Sequence, residues 1–530
     1  MARQAILSAA SESSDHPMFS LRSFATVGGM TLLSRILGFV REVLIAQIFG
    51  TGPIADAFIV AMRLPNLLRQ VFAEGAFSAA FVPVFTRHLT ERGMSGARIF
   101  AEQVMALLLV ALLIVLVAAE LAMPWLIHIF APGFDADPTK FQAAVLFTSI
   151  TFPYIVFMSL CALQGGMLNG LHKFAENAVA PVILNAILIA TMWFIKGDDL
   201  FVGEALAWSV TLSGLVQFLW LANACRRAGL SLRLPLPRFT PDAVQLFKLM
   251  VPGLFGASVV QINLAVSTIL ASLHAGSVSF IYYADRLYQL PLALIGSAIG
   301  VVLLPALTRA LRSNDPKAAM HMQNRALELG LVLSLPSTVG LIVAALPIVT
   351  TVYHRGAFTY DDAEAVSLAL MIMSAGLPAY VANKALTAAF LAREDTTTPF
   401  RQAAISVAVN IAISFSLTLP FGYIGVAVGA MVSAWVNAIL LATILYRRGY
   451  LQLDQRIKRT LPRLFLCCLV LGGATWGAVL YLWPGQGAAT QVQALSLIAI
   501  IAVGAIVFAG SVLAFRIVSF AELRSLRRKS

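Results

Sequence analysis

Long apolar runs, broken by short polar connections, follow one another along almost the whole chain. Fourteen of them fall at 23–49, 54–85, 101–130, 141–168, 174–195, 201–224, 244–272, 277–308, 326–353, 362–391, 400–419, 423–446, 460–483 and 492–515. Each can carry a helix of the ~20 residues that cross a bilayer core. A spanning barrel would show ~10-residue alternating segments instead, so the spans are read as helices. Residues 402–446 hold no Asp, Glu, Lys or Arg and exceed one span. The turn chemistry of Pro420-Phe421-Gly422-Tyr423 divides them into a tight hairpin.

The polar connections orient these spans. Those after even-numbered runs carry Arg87, Arg92 and Arg98; Arg226, Arg227, Arg233 and Arg238; Arg309, Arg312 and Lys317; and Arg447, Arg448, Arg456, Lys458 and Arg459. The C-terminal Arg524, Arg527, Arg528 and Lys529 join them. Connections after odd-numbered runs are poor in Lys and Arg, and two are acidic, at Asp135/Asp137 and Asp198/Asp199. The positive-inside rule then places both termini in the cytoplasm. Residues 450–463 read as a short basic amphipathic helix on the inner leaflet.

The runs also repeat. Arg63-Leu64 opens a stretch ending Val82-Pro83-Val84-Phe85-Thr86-Arg87, and Arg286-Leu287 opens another ending Leu304-Pro305-Ala306-Leu307-Thr308-Arg309. Pro124…Gly133-Phe134 matches Pro347…Gly356-Ala357-Phe358, Pro153 and Asn185 match Pro378 and Asn410, and Arg226-Arg227 match Arg447-Arg448. The offset is nearly constant, shortest from Arg226 to Arg447 and longest from Pro153 to Pro378 and from Asn185 to Asn410. Six helices per repeat is an even number, so both copies share one membrane orientation and a pseudo-two-fold axis along the membrane normal. The expected fold is all-α and integral to the membrane: fourteen transmembrane helices, two parallel six-helix repeats around a central cavity, and two extra C-terminal helices. The expected organisation is a cytoplasmic tail 1–22, an N-lobe 23–228, a cytoplasmic linker 229–243, a C-lobe 244–449, the basic amphipathic segment 450–463, helices 13 and 14 at 464–515, and a basic cytoplasmic tail 516–530.

Composition agrees and narrows the function. Charged residues are 12% of the 530 and hydrophobic ones 59%, with a mean hydropathy of +0.85; a soluble protein carries about 25% charged residues. The spans leave no room for a large extramembrane domain, which weighs against ATP-driven pumps and against enzymes with a soluble catalytic half. No GxxxxGK[ST] loop is present, and without one there is no P-loop for ATP. The net charge of +12 is scattered through short loops, so it argues for membrane topology rather than nucleic acid. Cys161, Cys225, Cys467 and Cys468 form no CxxC pattern and read as small buried residues. The seven histidines, His16, His88, His128, His172, His274, His321 and His354, show no metal-ligand spacing. No metal and no cofactor are implied. Gly425-x-x-x-Gly429 reads as helix packing.

The candidate chemistry lies in charges inside spans, which cost at least ~2.5–3.5 kcal/mol each at a helix centre. Helix 1 carries Arg35, Arg41 and Glu42, helix 2 carries Asp56, Arg63, Arg69 and Glu74, and helix 8 carries Asp285 and Arg286. Arg35 lies about twelve residues into its span, ~18 Å at helical rise, near the midplane. Asp56 and Glu42 fall near span ends where hydration could reach them. An interhelical ion pair is the plain alternative, for example Asp285 with an arginine of helix 1 or 2. Five arginines against four carboxylates leave a cationic surplus that suits an anion, and the planar guanidinium fork suits phosphate in particular. Pro65 and Pro291, just beyond Arg63 and Arg286, are expected to kink helices 2 and 8.

These residues resemble a known family. Ser34-Arg35-Ile36-Leu37-Gly38-Phe39-Val40-Arg41-Glu42 is similar to the first-helix motif of the MurJ (MviN) lipid II flippases. Ala55-Asp56-Ala57-Phe58, Leu64-Pro65-Asn66-Leu67-Leu68-Arg69 and Phe72-Ala73-Glu74-Gly75-Ala76-Phe77-Ser78 resemble its second-helix signature, and Tyr282-Tyr283-Ala284-Asp285-Arg286-Leu287 that of helix 8. The likeness runs from about residue 20 to the last helix. It implies the multidrug/oligosaccharidyl-lipid/polysaccharide exporter fold, with a cavity between two six-helix lobes and alternating access. It also implies a transporter, not an enzyme, that moves undecaprenyl-pyrophosphate-linked MurNAc-pentapeptide-GlcNAc from the inner to the outer leaflet of the bacterial cytoplasmic membrane for peptidoglycan synthesis. The resemblance assigns substrate binding to Arg35, Arg41, Arg69 and Arg286 and a functional role to Asp56, with Glu42, Arg63, Glu74 and Asp285 as supporting charges. Lipid II and membrane lipid are the implied partners, with other cell-wall synthesis proteins as further candidates and no nucleic acid. Some relatives bind sodium through carboxylates and Asn on helices 7, 11 and 12; here those spans hold Asn263, Asn410 and Asn437 but no Asp or Glu. Helices 13 and 14 would hold the lipid tail.

Two rival classes are weighed by the same residues. An exporter of another polyprenyl-diphosphate-linked oligosaccharide, of O-antigen or capsule type, shares the diphosphate and is the alternative. A membrane glycosyl- or phosphotransferase needs a metal-binding DxD or a positioned base on a large loop, and Asp198-Asp199 and Asp361-Asp362 supply neither.

Overall fold

The computed structural model describes residues 21–70, 77–313 and 315–517, and every described regular element is a helix. The tails 1–20 and 518–530 and the stretch containing Glu74 lie outside the described residues. The first repeat holds α1 (Leu21–Phe49), α2 (Pro53–Arg69), α3 (Ser78–Leu121), α4 (Met123–Phe130), α5 (Pro138–Thr151), α6 (Tyr154–Gly170), α7 (Ala175–Phe194) and α8 (Asp199–Arg227). The second holds α9 (Pro241–Ser272), α10 (Ser277–Arg312), α11 (Pro316–Val343), α12 (Ala345–Tyr353), α13 (Tyr360–Ser374), α14 (Leu377–Leu391), α15 (Thr397–Phe421) and α16 (Tyr423–Arg447), followed by α17 (Gln455–Leu482) and α18 (Thr490–Ala514).

Each apolar run is helical over its described residues. Ten spans among the described residues are long and apolar enough to cross a membrane. The runs at 23–49, 54–85, 244–272 and 277–308 form α1, α2 with the start of α3, α9 and α10. Gly93, at φ 66° and ψ −170°, breaks α3 between the second run and the third. Four spans are broken in register across the repeats. Ala122 and Ala344, at equivalent repeat positions, interrupt the third and ninth spans. Pro153 and Gly376, separated by nearly the same offset, interrupt the fourth and tenth. By contrast, α10 stays helical through Pro291 and Pro305, and Pro65 lies inside α2.

Over the described residues, packing divides the chain into two compact units: Met1–Leu44, Leu64–Leu121 and Thr148–Ala257 in one, and Ile45–Arg63, Ala122–Phe147 and Ser258–Ser530 in the other. The units do not follow the repeats. In the second unit, the ends of the first four spans remote from the arginine-rich loops fold with the second repeat from Ser258 onward, while the start of α9 belongs to the first unit. Repeat-related glycines make that packing close. A Cβ on Gly133 would lie 2.0 Å from the Ser272 carbonyl oxygen at the end of α9, and one on Gly356 would lie 2.2 Å from the Gln47 carbonyl oxygen near the end of α1. The Ala357 N–H donates to that Gln47 oxygen at 2.8 Å. Asp362 closes a capping box on α13 and takes the Thr51 hydroxyl at 2.5 Å.

Gly425 and Gly429 do pack α16 on α15, where side chains would strike Thr418 and Ser414. The four cysteines are buried and free, with Cys467 and Cys468 in the apolar contact of α17 and α18 with α11. Residues 455–463 run unbroken into α17. Asp454 caps that helix by accepting from the Ile457 N–H at 2.9 Å and pairs with Arg325, while the buried Glu328 of α11 takes Arg325, Arg456 and the Thr460 hydroxyl.

The connection into α15 is pinned by Asp395. Burial alone would raise its carboxyl, but the Thr398 N–H and hydroxyl and the Arg448 guanidinium outweigh it and hold the group at about 2. A depressed carboxyl stabilises above its unfolded value, about 4, and loses that contribution as pH falls through about 2. Asp395→Asn is expected to cost at most about 1 kcal/mol at neutral pH, because the pair is solvent-screened. Its melting temperature should converge with that of the parent as pH falls from 4 toward 2; an unchanging gap would refute the assignment.

Candidate functional site

In the first unit, α1 sets out Ser34, Gly38, Arg41 and Glu42 at helical spacing along one face. Arg41 is paired with the neighbouring Glu42, and its Nη1 donates to Asn185 Oδ1 at 2.9 Å. Asn185 Nδ2 donates to the Ser34 carbonyl at 3.0 Å. Glu42 is 3% exposed, so it is not hydrated at a span end as its position suggested. Arg35 is exposed and makes no hydrogen bond or ion pair among the described residues. Arg69, in the last turn of α2, donates through Nε and Nη2 to Asn66 Oδ1 at 2.9 and 2.6 Å.

In the second unit, two arginines at equivalent repeat positions converge on one ring. Arg63 and Arg286 place their Cζ atoms 5.5 and 4.6 Å from the centroid of Tyr282. Arg63 Nη1 donates to Thr268 Oγ1 at 2.8 Å, and Arg286 Nη2 donates to the Tyr282 hydroxyl at 3.2 Å. The ring faces attract both cations. Asp285 has no interhelical contact of ion-pair length among the described residues, although its charge and that of Arg63 on α2 act on each other; its carboxylate takes the Gln289 amide. Tyr282, Gln289 and Gly296 recur at heptad spacing, hence on one face of α10. Beside Gly296 lies Lys384 of α14, whose Cγ would be 3.8 Å from a Cβ built there.

Asp56 is not at a hydrated span end. It is 0% exposed. It accepts Lys140 Nζ at 2.5 Å, the Gly276 N–H at 3.1 Å, and the Ser279 N–H and hydroxyl at 2.9 and 2.5 Å. The carboxylate therefore caps the N-terminus of α10, where free N–H groups and the helix dipole favour an anion.

Sequence reasoning missed Lys140, Tyr282 and Lys384. Lys384 had a signal, as an isolated cation inside the run 362–391; Tyr282 stood in the helix-8 motif without a role. Among the described residues no three His, Cys, Asp or Glu side chains gather to hold a metal. Asn410 Nδ2 donates to Asn263 Oδ1 at 2.5 Å, joining the two amides directly.

A helical membrane protein of two parallel repeats, with guanidinium groups inside its spans, belongs to the class of multi-pass transporters. Comparison with known proteins is specific. The family model described as "Lipid II flippase MurJ" matches residues 45–517, and the chain belongs to that family. It is 44% identical over 491 residues to the "Probable lipid II flippase MurJ" of Rhizobium meliloti (strain 1021), covering 92% of each chain. Its fold is similar to a solved structure of the lipid II flippase MurJ in an inward closed conformation, with TM-score 0.78 and 26% identity over 92% of this chain and 97% of that one. An inward-facing multidrug resistance MATE transporter of the MOP superfamily shares the fold at TM-score 0.65 and 14% identity, over 80% of this chain and 97% of that one.

Proposed function

We propose that the chain carries lipid II, the undecaprenyl-pyrophosphate-linked peptidoglycan precursor, from the inner to the outer leaflet of the bacterial cytoplasmic membrane, with its diphosphate held by Arg35, Arg41, Arg69 and Arg286. Arg35 carries the head-group reading. It is an exposed cation about 18 Å into a span, and a charge at that depth is tolerated facing water or an anion but costly facing lipid tails. Arg63, which meets Arg286 across Tyr282, adds a second fork beside the first. Guanidinium is always charged and bidentate toward phosphate. The arginine-rich loops put both termini in the cytoplasm, so the side where Asp56 caps α10 is the outer one. The lobes would rock to expose the arginines alternately, and each elementary charge crossing the membrane potential contributes about 2.3 kcal/mol per 100 mV.

In cells depleted of their own flippase, this chain should restore access of lipid II to an external enzymatic probe. Arg35→Ala should lower that access about 10–100-fold, the worth of one or two charge-assisted hydrogen bonds, with protein level unchanged. Full access with Arg35→Ala refutes the assignment of the head group to Arg35. Normal lipid II access without the chain, together with loss of a surface polysaccharide, would refute lipid II as the substrate.

A further inference from the structure

Asn185 is 5% exposed on α7, and both ends of its amide are engaged. Oδ1 takes the Arg41 guanidinium and Nδ2 binds the Ser34 backbone. The amide packs against α1 at Gly38, where a Cβ would lie 3.5 Å from Asn185 Nδ2, an ordinary contact. A carbonyl inside a helix keeps a second lone pair after accepting its own i+4 N–H, so Asn185 grips the backbone of α1 without opening it. One amide thus ties the tip of Arg41 to the helix that bears it. Glu42 holds the other Nη, and the fork has two fixed acceptors.

The second repeat places an asparagine at the equivalent position, where its partners are an amide and a hydroxyl. Asn410, the repeat equivalent of Asn185, is 1% exposed on α15. It reaches Asn263 of α9, which follows Arg41 by nearly the same offset. The Ser414 hydroxyl donates to Asn410 Oδ1 at 3.0 Å. Where the repeat needs only to join two helices, an amide meets an amide. In the first repeat the amide meets a guanidinium, a long side chain that gains most from being oriented in advance, since ordering it on binding costs conformational entropy.

We infer that Asn185 is a positioning residue for head-group binding: it clamps the Arg41 guanidinium to the α1 backbone so that the diphosphate meets a preset fork. This rests on the reading of Arg41 as a head-group ligand. The test is lipid II binding by the purified full-length chain in lipid nanodiscs. Asn185→Leu removes both hydrogen bonds at similar volume, and should weaken binding about ten-fold, the size of one hydrogen bond to a charged group. Arg41→Ala should weaken it at least as much, and the double variant should be no weaker than Arg41→Ala alone, because Asn185 acts through Arg41. Asn185→Asp keeps the acceptor but sets an anion against the fork. It should bind weakly as well, because the added anion competes with the diphosphate for the guanidinium and the donor to the Ser34 carbonyl is lost.

If Arg41→Ala binds like the parent, the head-group reading of Arg41 falls and this inference with it. If Arg41→Ala is weakened while both Asn185 variants bind like the parent, or if the Leu and Ala losses add in full, only the positioning role is overturned. Should Asn185→Leu fail to accumulate, Asn185→Asp decides: binding equal to that of the parent overturns the role.

Discussion

Asp56→Ala is expected to destabilise the protein by about 3–5 kcal/mol, the cost of leaving one partner of a buried ion pair unmatched. Lys140 is 5% exposed, its ammonium 2.5 Å from the Asp56 carboxylate and 4.1 Å from the centroid of Phe134. The ring contributes on the order of 1–2 kcal/mol and cannot stand in for the carboxylate. The same substitution removes the acceptor of the Gly276 N–H and of both Ser279 donors. Asp56→Ala/Lys140→Met should therefore recover a large part of the lost stability, since removing both charges abolishes the unmatched ammonium and leaves only the uncapped helix. Thermal unfolding of the detergent-solubilised variants checks this. If Lys140→Met does nothing for the Asp56→Ala protein, the ion pair is not the source of the loss. Transport should stay low in the double variant, because α10 still lacks the carboxylate that fixes its N-terminus.

Hydropathy was sufficient to read the spans because lipid leaves the chain so few options: each run has to close its own hydrogen bonds as a helix. The duplication was legible too, since Pro, Gly and Arg landmarks mark backbone breaks and loop ends, and the breaks at Ala122/Ala344 and Pro153/Gly376 recur at nearly the same offset. Arg41 was legible as a charge but its holder was not; Asn185 stood out only as a landmark shared with Asn410. Asp56 shows why. Its depth along a span suggested water, yet the N-terminus of α10, which belongs to the other repeat, folds over it, and periodicity within one helix carries no trace of such a partner. The division into two compact units was equally hidden. A repeat boundary is written in sequence spacing, whereas the grouping of Ile45–Arg63 and Ala122–Phe147 with the second repeat depends on contacts between copies.

Those contacts give the other large effect. Gly356→Ala and Gly133→Ala should each separate the ends of the first-repeat spans from the second repeat in the compact unit that joins them. An alanine Cβ at Gly356 would stand 2.2 Å from the Gln47 oxygen, and one at Gly133 would stand 2.0 Å from the Ser272 oxygen and 2.6 Å from Leu273 Cα. Both obstacles are backbone, which cannot rotate aside as a side chain would. Gly356 also sits at φ 61°, where a Cβ adds about 1–2 kcal/mol to overpacking of about 1–3 kcal/mol. A penalty of that size falls only on the conformation in which these segments touch, so it moves the balance toward one in which they part. The two glycines are repeat equivalents, and each presses on the span equivalent to the one its partner presses on. Opening one contact should therefore open the other. A cysteine replacing Ser272, 2% exposed here, reports on the Gly133 contact while the alanine is placed at Gly356. Its labelling by a membrane-impermeant maleimide should rise several-fold in Gly356→Ala, the four native cysteines being buried. Unchanged labelling with normal protein level would mean that the two contacts open independently.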